Sequence, residues 1–150
     1  MKKTKRRVVL RGQILTGTYN GLENRIQVFD GKYTTGYKIV EFDIAPDDPQ
    51  GSSEYISKLS TEPKSNVAEW DWNDVQELAW AAFNTPIASR FGYYSKIAED
   101  NMVIEDLYIS AYTTGESGQL NYYIVLEGYD FPAWTGAGFL VENNAQAGPQ

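Results

Sequence analysis

The chain of 150 residues is 42% hydrophobic and 22% charged, enough apolar material for one packed domain and too much for a disordered tail. It has no Cys and no His, which excludes disulfides, thiol catalysis, Cys/His zinc sites and Ser-His triads. Its formal charge of −7 is unevenly spread: Lys2, Lys3, Lys5, Arg6, Arg7 and Arg11 stand in the first 11 residues with no acid, leaving seven bases against 20 acids and a charge of −13 on the body.

In chain order, most segments alternate with the period of a strand. Residues 1–11 form a basic arm that leads into a first strand over 7–16, with Gly12 as a bulge candidate. In NRIQVFD, Ile26 and Val28 oppose Gln27 and Phe29. DGKYTTG is a turn whose Asp-Gly pair supplies a positive-φ site. YKIVEFDIAP is a strand ended by Pro46, with Val40, Phe42 and Ile44 on one face and Ile39, Glu41 and Asp43 on the other. EYISKLST is a short strand. QELAWAAF fits two patterns: a helix capped by Asp74, or a strand through Leu78, Trp80 and Ala82, which the neighbouring segments favour.

NMVIEDLYISAYT carries Val103, Glu105, Leu107, Ile109 and Ala111 on one face, and QLNYYIVLEGYD carries Leu120, Tyr122, Ile124 and Leu126. The short connection between them predicts a hairpin. FPAWTGAGFLVE adds a final short strand, and residues 142–150 form a polar tail. About eight strands with turn-rich connections and no βαβ alternation predict an all-β antiparallel two-sheet sandwich over residues 12–141, a single jelly roll with extended arms.

Chemistry-bearing patterns are sparse. Asp47-Asp48, Asp71 with Asp74, Glu99-Asp100 and Glu105-Asp106 match no calcium-loop motif, and such pairs commonly sit on solvated loops and strand ends. No glycine-rich phosphate loop is present, and Ser, Thr, Tyr and Lys lack a His partner, so neither catalytic residues nor a cofactor or metal site is assigned. No stretch approaches the ~20 apolar residues of a membrane helix. Arg11 cuts the Val8–Leu10 apolar run far short of a secretory core. The expectation is a soluble protein with no membrane partner.

Two features carry functional expectations. The basic arm would contact a polyanion or an acidic neighbour, although a solvated tail has the same composition. The aromatics, 14% of the chain, include Trp70, Trp72, Trp134, Tyr93 and Tyr94, which suit core packing, a protein interface or a sugar-stacking platform. Trp70 and Trp72 would share one face if their segment were a strand.

The stretches RGQILTG, GYKIVEFDIAP, ELAWAAF, VIEDLYISAY and NYYIVLE, about a third of the chain, resemble small single-sandwich virion proteins of marine viruses. That resemblance implies a virion structural protein, a capsid subunit or a minor cementing component, that self-assembles through sandwich and arm contacts. Its partners would be copies of itself and other virion proteins, with nucleic acid reached through the arm, and it would reside in the virion after synthesis in the host cytoplasm. The acidic body departs from capsid proteins that line a genome. The alternative from a different class is a carbohydrate-binding β-sandwich module or adhesin domain.

Overall fold

The computed structural model describes residues 2–16, 22–28, 31, 34–47, 54–87, 90–113 and 118–132. Eight strands run through them: β1 (Lys2–Leu15), β2 (Leu22–Gln27), β3 (Thr35–Pro46), β4 (Glu54–Ser60), β5 (Glu77–Ile87), β6 (Arg90–Ile97), β7 (Asp106–Thr113) and β8 (Gln119–Asp130). All pairs are antiparallel, in a three-stranded sheet of order β1-β8-β3 and a five-stranded sheet of order β2-β7-β4-β5-β6. The fold is an all-β two-sheet sandwich with no helix among the described residues.

The pairs β1–β8, β2–β7 and β4–β5 are those of one long hairpin rolled up, the winding of a jelly roll. The fourth pair of that winding, β3 with β6, is made by side chains instead of a backbone ladder. β6 remains hydrogen-bonded to β5, and Ser95 Oγ donates to the Phe42 carbonyl across 2.7 Å.

Alternation drives the two sheets together. Phe42 and Ile44 of β3, Ile14 of β1 and Leu120, Ile124 and Leu126 of β8 meet Leu59, Ala79, Ala81, Leu107, Ile109 and Ala111 of the other sheet. Each Leu, Ile or Phe fully removed from water contributes roughly 1.5–3 kcal/mol before entropy is counted. A second small cluster, Met102, Ile104 and Phe131, packs where β3 begins. Gly36 is required there, because a Cβ would stand 2.8 Å from Met102 Sδ and 2.9 Å from the Phe131 ring. Gly31 sits at φ +87°, the left-handed site expected of the Asp-Gly turn.

Four sequence expectations change. β1 begins at Lys2 instead of residue 7, and its ladder with β8 slips register between Lys3 and Arg7 and not at Gly12, which pairs in register with Tyr122. β3 carries a bulge between Ile39 and Glu41, so Val40 is 42% exposed while Tyr37 and Ile39 join Phe42 and Ile44 in the core. One inserted residue reverses the face of everything before it. β7 starts only at Asp106, leaving Glu105 outside it and exposed.

The predicted hairpin of β7 with β8 does not form. Both edges of β7 are taken by β2 and β4, both edges of β8 by β1 and β3, and the chain crosses between sheets instead. The segment before β7 serves β3. Val103 exchanges two 2.8 Å backbone bonds with Tyr37, and the Asn101 side chain accepts from Ile39 N at 2.7 Å and donates to its carbonyl at 3.2 Å. Asn101 thus imitates a strand residue and covers part of the β3 edge. QELAWAAF is strand, in β5; Asp74 accepts from Gln76 N at 3.0 Å and closes a turn into that strand, not a helix.

Candidate functional site

The arm is part of the sheet. Lys2, Lys3, Lys5, Arg6, Arg7 and Arg11 all lie on β1, which ladders to β8 on one side and ends the strand order on the other. Among the described residues, this 14-residue strand therefore presents a backbone edge with no ladder beyond it. Alternation turns Arg7, Val9, Arg11 and Gln13 to the outer face; Val8, Leu10 and Ile14 pack inward. Arg6 lies 5.1 Å from the centre of the Tyr37 ring, a cation–π contact.

The aromatics divide. Residues 61–76 form a loop over the outer face of β4, β5 and β6, so Trp70 and Trp72 are not on a strand. Trp72 is tilted against Trp80 of β5 with centroids 5.6 Å apart, and Trp70 stacks on Tyr94 of β6 at 5.8 Å. Trp80 and Tyr94 share that face by register, which brings all four rings into one patch; Trp72 remains 61% exposed. The Trp70 indole N–H is buried with no hydrogen-bond partner among the described residues. Tyr93 points to the opposite face, edge-on to Phe83. Trp134, the FPAWTGAGFLVE strand beyond Pro132 and the 142–150 tail lie outside the described residues.

A buried lysine holds the loop in place. Lys58, 1% exposed on β4, donates to the carbonyls of Asn66 at 2.8 Å and Glu69 at 2.9 Å and pairs with Glu77 Oε2 at 3.0 Å. The other Glu77 oxygen accepts from Trp80 Nε1 at 2.9 Å and from Asp71 N at 3.0 Å. Every ammonium proton has an acceptor, so Lys58 is a tether and not a nucleophile. Lys64 and Asp74 add a 2.8 Å pair across the same loop.

Sequence reading missed the outer face of the three-stranded sheet. Three consecutive residues from each strand, 11–13, 43–45 and 121–123, line a depression of about 480 Å³. No residue of the other sheet lines it, which places it outside the sandwich. Register sets two rows across the strands, Arg11–Tyr123–Asp43 and Gln13–Asn121–Ala45. Tyr123 is 39% exposed at the centre, and Gln13 Nε2 donates to Asn121 Oδ1 at 2.7 Å. The Tyr93 hydroxyl reaches over from β6 to donate to the Asp43 carboxylate; burial, and then this bond, push the Tyr93 pKa upward. Glu41, two residues from Asp43 on the same face, has its carboxyl pKa raised, mainly because its proton is shared with Asp43.

The acidic pairs do not converge: among the described residues, no three acidic side chains are grouped to hold a metal. Asp106 pairs with Arg25 at 2.6 Å, joining β7 to β2, while Glu99 and Asp100 are exposed; Asp48 lies outside the described residues. No helix among the described residues is long and apolar enough to cross a membrane. No protein-family model, curated protein or solved structure matches the chain.

Proposed function

We propose that this protein is a virion structural subunit, a capsid protein or a minor capsid or cement protein, that assembles with copies of itself and other virion proteins and resides in the virion after synthesis in the host cytoplasm. The observation that carries the reading is β1: a 14-residue edge strand, laddered on one side, whose basic residues stand on a body of charge −13. Backbone on such an edge can accept a further strand, and its positive side chains select an acidic one. A second copy offers both chemistries, since the β1 edge of one subunit and the acidic body of the next are complementary. This is a head-to-tail contact, of the kind that closes into rings or shells when the rotation allows.

The jelly-roll winding and the Trp70, Trp72 and Tyr94 patch add to this reading. The winding leaves β1 at the end of a sheet, and the patch supplies a second apolar contact on the opposite face of the sandwich. Like charges on two β1 strands disfavour a two-fold β1–β1 pairing. Nucleic acid is the other anion the strand would take.

Comparing the full chain with the K2Q/K3Q/K5Q variant, both stripped of nucleic acid, tests the proposal by sedimentation and electron microscopy. Strand-forming backbone is retained while three charges are removed. Assemblies in the parent that shrink or vanish in the variant support the reading. Equal assembly by both rejects the electrostatic role of β1.

A further inference from the structure

The outer face of the three-stranded sheet has the chemistry of a small binding site, independent of the assembly reading. Its centre is an aromatic ring, Tyr123, with 39% of its surface open. On one side, in direct register, stands Arg11; on the other stands Asp43. Arg11 makes no ion pair among the described residues, so its guanidinium donors remain available. The adjoining row adds Gln13 and Asn121. The bond between them uses one amide proton of Gln13 and the Asn121 oxygen, leaving the Asn121 amide protons and the Gln13 oxygen open.

A cation and an anion on either side of a part-exposed aromatic residue do not suit a purely apolar ligand, which would desolvate both charges. A strongly charged ligand fares little better, because Arg11 and the Glu41/Asp43 carboxylates pull in opposite senses. A neutral polyol ring satisfies all of these groups. Each hydroxyl both donates and accepts, so one edge can give to Asp43 and another can accept from Arg11. The ring's C–H face lies on the Tyr123 phenol. A depression of about 480 Å³ accommodates one or two such rings.

We propose that the groove formed by Arg11, Gln13, Asp43, Asn121 and Tyr123 binds a neutral saccharide, with one pyranose ring stacked on Tyr123. The Tyr93 hydroxyl bonds the Asp43 carboxylate from β6, outside the groove. An open groove with one stacked ring binds weakly, with a Kd on the order of 1 mM for a short oligosaccharide.

Amide correlation spectra of the full chain, titrated with cellotetraose, maltotetraose and chitotetraose, test this. The expected result is saturable shifts at residues 11–13, 43–45 and 121–123 with at least one of the three. Tyr123→Ala should weaken that binding by about tenfold or more, and Arg11→Ala should also weaken it. Tyr123→Phe, which keeps the ring, should leave it nearly unchanged, while Trp72→Ala on the opposite sheet should have no effect. A dispersed spectrum for each variant establishes that it is folded. No shift in the groove with any of the three sugars overturns the proposal. So do shifts centred on Trp72 and Tyr94, or groove shifts that survive Tyr123→Ala. Groove shifts produced by a tetraglutamate peptide and by none of the sugars assign the face to an acidic partner, and also overturn it.

Discussion

Glu41 and Asp43 sit two apart on the outer face of β3, where alternation forces both carboxyls to one side. Their shared proton raises the Glu41 pKa from its ordinary 4.5. The sign follows from linkage: the shared-proton arrangement stabilises the fold fully below pH 4.5 and is lost as pH rises through the raised folded value. Above that value two anions face each other. Glu41→Gln keeps a donor to Asp43 at every pH, so its melting temperature should match the parent's in acid and exceed it increasingly as pH rises above 4.5, measured by thermal melts across the range. Equal pH profiles for the two proteins would contradict the shared proton. At this scale the sequence was only partly legible. Alternation correctly sets Glu41 and Asp43 on the face opposite Phe42 and Ile44, but nothing in the string of letters says that Tyr93 arrives from β6 to bond Asp43.

Between β4 and β5 the loop 61–76 is an element without regular structure, held by the buried Lys58 ammonium, the Lys64–Asp74 pair and two aromatic contacts, one stacked and one tilted. Removing Lys58 leaves Glu77, 4% exposed, as a buried anion that has lost its charge partner. Lys58→Met should therefore cost about 3–5 kcal/mol in denaturant-induced unfolding. The double variant K58M/E77Q should recover part of that loss, since the uncompensated charge is gone. Strand positions were largely readable because β3, β4, β5, β7 and β8 alternate with one apolar face. The sequence did not signal Lys58 as buried, because a lysine on a strand reads as an outward charge. Register was likewise hidden. Val40 is apolar, so its place in the bulge looks like one more core residue, and only the β8 ladder reveals the slip. Chain proximity favoured a hairpin of β7 with β8, and the jelly-roll winding overrides it by filling both edges of each strand.

For the whole molecule, charge and topology combine into the central claim. Composition alone separates a basic first segment from an acidic remainder; the fold turns that segment into an edge strand instead of a free tail. The aromatic patch was legible as a set of residue types and not as a place, since Trp70 and Trp72 reach β5 and β6 only through the loop that carries them. The groove was invisible, being built from ordinary outward residues on three strands far apart in sequence. The proposed contact between β1 and an acidic surface would be electrostatic and would weaken when salt shortens the screening length from about 10 Å at 0.1 M to about 3 Å at 1 M. The most direct measurement is the molar mass of the purified, nucleic-acid-free protein by light scattering at those two ionic strengths. The account predicts large assemblies at 0.1 M that dissociate at 1 M; a monomer with the same mass at both would contradict it.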